Sequence, residues 1–151
     1  MFLERADMDS IKVLVVEDNA AFRQFVRNTI EDEIDSVGIS EASDGLAAVQ
    51  LALEIKPDLI VLDIALPSLN GLEAAQRILK SSSASKIVFL SQESSREVMQ
   101  EALRIGARGY VVKRDAGRDL RAALRAVLRG DRFVSRRGDG FDFTTGLKLV
   151  V

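Results

Sequence analysis

Apolar and polar positions along the chain follow two rhythms. Residues 11–16, IKVLVV, form a short, almost unbroken apolar and β-branched run, the pattern of a strand buried on both faces. A helical period comes next, with Phe22, Phe25, Val26, Thr29 and Ile30 on one face and Arg23 and Arg27 off it. The alternation then repeats. Strand-like runs occur at 36–40 (SVGIS), 58–62 (DLIVL), 86–90 (KIVFL) and 108–112 (RGYVV). Between and after them the spacing predicts helices over about 45–54, 71–80, 95–105 and 116–129.

Boundary residues support this division. Ser94 and Glu97 have the spacing of a capping box ahead of the fourth helix, and Gly106 stands where that helix should end. Asn70-Gly71 precedes the third helix, and Pro57 closes the second, which a proline could not continue. Five strands alternating with five helices read as a doubly wound α/β domain with a parallel sheet. Ser81 to Ser85 reads as a loop. The stretch after Arg137, GDGFDFTTGLKLVV, is expected to be a short extended segment or disordered.

Composition narrows the chemistry. At 151 residues the chain has room for one domain, and 47% apolar with 29% charged residues is the balance of a folded soluble domain. With no cysteine and no histidine, disulfide scaffolds, thiolate nucleophiles, Ser-His-Asp triads and Cys/His zinc sites are excluded. A metal would be a hard cation held by carboxylates. The start, MFLERADMDS, carries Glu4, Arg5 and Asp7 and no apolar run of the length a signal peptide or membrane span needs, so a cytoplasmic protein is expected. The net charge of −2 hides a division: residues 1–95 hold 8 basic and 16 acidic side chains, residues 96–137 hold 12 basic and 5 acidic.

In open parallel sheets, ligands bind beyond the carboxyl ends of the strands. The polar residues just past each apolar run are Glu17 and Asp18, then Asp63, then Ser91, then Lys113. Singly, each has a plain reading: an acid at a strand end is usually a helix cap, and a lysine is usually a surface charge. Together they bring three acids, a hydroxyl and an amine to one edge. Three carboxylates at close range repel, and a divalent cation among them removes the repulsion. A cation, a lysine and a hydroxyl around one carboxylate is the equipment of phosphoryl transfer, with the carboxylate itself able to act as nucleophile.

The segments that carry these residues resemble the receiver domains of response regulators, the phosphoacceptor half of two-component signalling. They are VLVVEDN (13–19), the Asp44-Gly45 step, PDLIVLDIALPSLNGLEA (57–74), KIVFLS (86–91) and GARGYVVK (106–113). GARGYVVKRDAGRDLRAALRAVLRGDRFVS further resembles the LuxR/NarL-type branch, whose receivers precede a helix-turn-helix output domain. The resemblance implies a flavodoxin-like sheet of strand order 2-1-3-4-5. It divides the chain into an N-terminal extension (1–9), a receiver (10–130) and a tail (131–151) without a complete output domain. Asp63 matches the residue that takes a phosphoryl group from a sensor histidine kinase or phosphotransfer protein. Asp18 matches a direct Mg²⁺ ligand, Glu17 a ligand through water, and Ala65 the residue whose backbone carbonyl completes the site. Ser91 and Lys113 match the phosphoryl-binding pair, and Ser91 with Tyr110 the switch pair. Gln92 and Glu93 flank the phosphoryl group, and Gln92 is longer than the small residue usual there. Arg114 stands where the lysine is commonly followed by proline.

This implies a signalling domain rather than an enzyme with its own substrate, phosphorylating itself from small donors and slowly losing the group. A haloacid-dehalogenase-like phosphotransferase would want a second acid two residues past Asp63, where Ala65 stands. An FMN carrier would want a phosphate-cradling loop in place of EDNAAF, and no GxxxxGK[ST] or GxGxxG occurs. In the last helix Leu120, Ala123, Leu124, Val127 and Leu128 form an apolar face, and Arg118, Arg121, Arg125 and Arg129 step along another as a continuous exposed stripe. The family suggests a homodimer through the fourth helix, fifth strand and fifth helix, with Glu97, Glu101, Asp115 and Asp119 supplying opposite charges. Direct contact with nucleic acid or membrane is not expected. The tail does not resemble the start of a LuxR-type domain, which favours a stand-alone receiver over a fragment of a transcription factor.

Overall fold

The computed structural model describes residues 10–135 and the backbone of two short strands beyond them. β1 (Ile11–Val16), β2 (Val37–Ala42), β3 (Leu59–Asp63), β4 (Lys86–Ser91), β5 (Gly109–Val112) and β6 (Phe133–Val134) make one sheet, ordered β2-β1-β3-β4-β5-β6. Every pairing in it is parallel. The first five strands have the expected order, and β6 adds two residues on the far side of β5, inside the segment read as a tail. β7 (Phe141–Asp142) and β8 (Leu147–Lys148) pair antiparallel, so part of that tail is extended. Residues 136–140, 143–146 and 149–151 of the tail lie outside the described residues.

The five helices are α1 (Ala20–Glu33), α2 (Gly45–Ile55), α3 (Gly71–Ser81), α4 (Arg96–Ile105) and α5 (Ala116–Leu128). Successive strand residues point to opposite faces, so each apolar strand feeds two cores. Val13, Val15, Leu59, Val61, Val88, Leu90 and Val111 pack with Val26 and Ile30 of α1 and Leu120, Leu124 and Val127 of α5. Leu14, Val16, Ile60, Leu62, Ile87, Phe89 and Tyr110 pack with Ala48 and Ala52 of α2, Ala75 and Ile78 of α3, and Met99 of α4. Burial of each such Val, Leu or Ile side chain is worth about 1.5–3 kcal/mol, which is why the runs need no polar alternation.

Helix starts are fixed by short polar side chains. Asn19, Asp44, Asn70 and Ser95 each accept a hydrogen bond from the backbone N–H three residues on. The cap of α4 is therefore Ser95, not Ser94. Ser95 Oγ is placed to accept from Val98, which shifts the helix start by one residue. Gly106 ends α4 with φ +120°, a conformation that a side chain disfavours. Gly71 has a different reason to be glycine: a Cβ there would lie 2.0 Å from the carbonyl oxygen of Asp63. The β3–α3 loop thus folds back directly on the end of β3.

Candidate phosphoacceptor site

The strand order places the carboxyl ends of β1, β3, β4 and β5 side by side. Glu17 follows β1 and is 1% exposed, Asp63 ends β3 at 3%, and Ser91 ends β4 at 3%. Asp18 is exposed beside them, and Lys113 begins the 3₁₀ turn after β5. Oxygen atoms of Glu17, Asp18 and Asp63 all lie within 4.8 Å of one another. These residues line a basin of about 1050 Å³ whose rim includes Gln92, Glu93 and Arg114.

Lys113 is the one cation in the cluster. Its Nζ lies 2.7 Å from Glu17 Oε1 and donates to Asp63 Oδ2 at 3.0 Å. The ammonium also sits 4.9 Å from the centroid of the Phe22 ring, a favourable cation–π distance. Burial alone would lower the Lys113 pKa, but the two carboxylates outweigh it and hold it above the usual lysine value. Burial raises Glu17, and the charge on Asp63 adds to the rise against the lowering contacts with Lys113 and the Asn19 amide.

Backbone groups orient the acids. Asp63 Oδ1 accepts from Ala65 N at 3.2 Å and Glu17 Oε2 from Asn19 N at 3.0 Å. Arg23 donates to the carbonyl oxygen of Glu17 at 2.8 Å and reaches Glu41 of β2 at 3.3 Å, bracing the β1–α1 loop. Ser91 Oγ accepts from Glu93 N at 3.0 Å, while Tyr110, fully buried, donates its hydroxyl to the carbonyl oxygen of Glu93 at 2.7 Å. Burial pushes the Tyr110 phenol up, so it stays a neutral donor. The Lys113–Arg114 peptide is trans.

The donor set suits a hard divalent cation. Three carboxylates converge, and Glu17 Oε1 is a buried oxygen that faces Lys113 but makes no aligned hydrogen bond. That leaves Glu17, Asp18 and Asp63 with more negative charge than one ammonium answers, and with lone pairs to offer a metal.

The spacing of strand ends picked out Glu17, Asp18, Asp63, Ser91 and Lys113, and the structure brings all five together. Ala65, Gln92, Glu93 and Tyr110 lie around them. Phe22 and Arg23 were missed as site residues. Phe22 lies on the apolar face of α1 and reads as core, whereas Arg23 lies off that face and reads as solvated; only the fold turns both toward Glu17 and Lys113.

The arginine stripe of α5 is exposed as expected, and each of its charges is met within the chain. Arg121 and Arg125 close on Glu33 of α1 at 3.1 and 2.8 Å, Arg118 on Asp119 at 2.9 Å, and Arg129 on Asp131 at 2.8 Å. Asp119 is buried, and Glu101 pairs with Arg104 of its own helix.

Residues 13–125 match the response regulator receiver domain family, and the chain belongs to that family. It is 35% identical over 123 residues to an uncharacterized transcriptional regulatory protein, YxjL, of Bacillus subtilis, covering 82% of this chain and 56% of that protein. It is 33% identical over 103 residues to the chemotaxis protein CheY of Listeria monocytogenes, covering 68% of this chain and 86% of CheY. A two-component response regulator of the LuxR family from Aurantimonas sp. SI85-9A1 superposes with TM-score 0.76 at 30% identity, covering 83% of this chain and 89% of that one. The chain spans little more than half the length of the Bacillus relative. No helix among the described residues is long and apolar enough to cross a membrane.

Proposed function

We propose that the protein is a phosphoacceptor response regulator that takes a phosphoryl group on Asp63 from a sensor histidine kinase or a phosphotransfer protein in the cytoplasm. The observation that carries this reading is the cluster of three carboxylates at adjoining strand ends facing one lysine. Glu17, Asp18, Asp63 and the backbone carbonyl of Ala65 would hold Mg²⁺, which when bound supplies charge neutralisation for the phosphoryl oxygens. A carboxylate oxygen of Asp63 attacks phosphorus, the P–N bond to the donor imidazole breaks, and the imidazole nitrogen leaves with the bonding pair. The product is an acyl phosphate on Asp63. Lys113, released from Asp63 Oδ2, moves its ammonium to a phosphoryl oxygen, and the Ser91 hydroxyl donates to another.

Ser91 and Tyr110 form the switch. Both already meet at Glu93, Ser91 through its amide and Tyr110 through its carbonyl, so a phosphoryl group that draws in Ser91 pulls on the segment Tyr110 holds. The α4–β5–α5 surface is the output face, and Gln92 and Glu93 at the rim govern access of donor and water. In this role residues 10–130 are the receiver, and the activity is signalling rather than turnover of a separate substrate. Homodimerisation through the output face needs charges other than Asp119.

A second reading keeps the same site within a longer LuxR-type transcription factor, contacting DNA only through a further domain. The Bacillus relative is named a transcriptional regulatory protein and the Listeria relative a chemotaxis protein, so the relatives include both kinds. Intact-mass measurement after incubation with Mg²⁺ and acetyl phosphate tests the shared site. One phosphate, about 80 Da by simple stoichiometry, is expected on the wild type and absent from Asp63→Ala. An equal gain in the variant would move the acceptor elsewhere.

A further inference from the structure

The turn that carries Lys113 is held from outside itself. Lys113–Asp115 form a single 3₁₀ turn between β5 and α5, and neither that turn nor α5 begins with a side-chain cap. Position 114 is arginine, 72% exposed along its side chain, so no proline ring restricts the backbone there. Left to itself, such a turn would let the stem of Lys113 wander.

Ser135, which is 2% exposed, spans the turn. Its hydroxyl accepts from the amide of Val112, the last residue of β5, at 3.0 Å, and donates to Asp119 Oδ2, in the first turn of α5, at 2.8 Å. Ser135 is fixed by its own amide, which donates to the Tyr110 carbonyl oxygen at 2.8 Å, and by the pairing of β6 with β5. Asp119 is fixed in turn by Arg118, whose guanidinium meets Oδ1 at 2.9 Å. Phe133 and Val134 anchor the same segment on both faces of the sheet, one in each core. One hydroxyl therefore joins the residue just before Lys113 to the helix just after its turn.

We propose that Ser135 and Asp119 are positioning residues for the Lys113 ammonium, fastening the β5–α5 turn so that Lys113 meets Asp63. The proposal rests on the phosphoacceptor reading of Asp63 and makes residues 131–135 part of that site's support. Displacement of a catalytic cation by about 1 Å is enough to weaken a reaction that depends on its placement. Thr at 135 preserves the hydroxyl and Ala removes it. Asn at 119 keeps an acceptor oxygen but loses the charge that Arg118 grips.

The test uses the full chain and a double-mutant cycle. Initial phosphorylation rates from acetyl phosphate at fixed Mg²⁺ are compared for wild type, Ser135→Ala, Ser135→Thr, Asp119→Asn, Lys113→Ala and the double variant Ser135→Ala with Lys113→Ala. Losing one hydrogen-bonded hydroxyl should slow Ser135→Ala about threefold, with Ser135→Thr near wild type. The double variant should be no slower than Lys113→Ala alone, because the serine acts through the lysine. Effects that multiply, or a Ser135→Ala rate equal to wild type, would overturn the proposal. A readout independent of phosphorylation is the NMR signal of the Lys113 ε-methylene, whose attached ammonium lies 4.9 Å from the Phe22 ring centroid. Ser135→Ala and Asp119→Asn should move it toward the free-lysine position, and an unmoved signal refutes the positioning role. If the wild type takes no phosphate while Ser135→Ala and Asp119→Asn still move the signal, the phosphoacceptor reading is refuted and the fastening of the turn stays in place.

Discussion

Glu33 sits at the end of α1 between the guanidinium groups of Arg121 and Arg125, whereas Glu17, Asp18 and Asp63 crowd the ends of β1 and β3 around the single ammonium of Lys113. In the first place two arginines meet two acids, since Arg121 also reaches Asp32 at 3.8 Å. The Arg125 hydrogen bond, followed by that of Arg121, holds Glu33 below the ordinary carboxylate range. In the second place acids outnumber the cation, and burial pushes Glu17 above that range. The Glu33 group ties α1 to α5 and has no charge left to offer. The strand-end group has charge to spare, and its excess is what a divalent cation and then a phosphoryl group would use. An acid cluster is informative here because its charge is unanswered; the number of acids alone says little.

The most damaging change to this contrast strikes the backbone under the strand-end cluster. Gly71→Ala puts a methyl group against the Asp63 carbonyl, and overpacking of this kind should cost about 1–3 kcal/mol or more in urea denaturation, with loss of Mg²⁺ binding. A smaller and opposite effect is expected from Asp63→Asn. Removing one of three crowded carboxylates leaves Glu17 with Lys113 to itself, so in metal-free buffer the variant should be more stable than wild type by about 1 kcal/mol and unfold at a higher temperature. Equal or lower stability would mean that the cluster carries no net repulsion.

Asp119 falls between the two cases, a buried acid that burial pushes up and that Arg118 and Ser135 more than pull back, leaving it below the ordinary aspartate range. A lowered folded-state pKa contributes stability that is complete above the unfolded value and is lost as pH falls through the folded one. Asp119→Asn should therefore be less stable than wild type at neutral pH, with the difference shrinking below pH 3.8 in acid unfolding curves. The smallest effect belongs to Glu33→Gln, a slight and salt-sensitive loss of thermal stability with phosphorylation unchanged, since its partners are solvent-exposed arginines.

Much of this was legible in the chain before its fold. Parallel strands buried on both faces leave apolar runs, and the first polar residue after each run is forced to the same edge, which is how Glu17, Asp18, Asp63, Ser91 and Lys113 declared themselves. What the chain concealed was pairing across distance and across equivalent chemistry. Ser94 and Ser95 offer the same cap one residue apart, and the helix uses Ser95. Glu33 finds arginines that lie 88 and 92 residues away, with nothing local to mark the match. β6 is two residues long and takes its conformation from the open edge of β5. Phe22 obeys the helical period so well that its contact with Lys113 is visible only when the turn after β5 comes beside α1.

The claim that the strand-end cluster has unanswered charge is tested most directly by calorimetric titration of Mg²⁺ into the metal-free protein. Wild type and Glu33→Gln should bind one ion with the same affinity, and Asp18→Asn should bind markedly more weakly. Binding should also raise the thermal midpoint of the wild type, by an amount equivalent to about 1.4 kcal/mol at ten times Kd. Equal affinity in wild type and Asp18→Asn, or no binding by the wild type at millimolar Mg²⁺, would contradict the account.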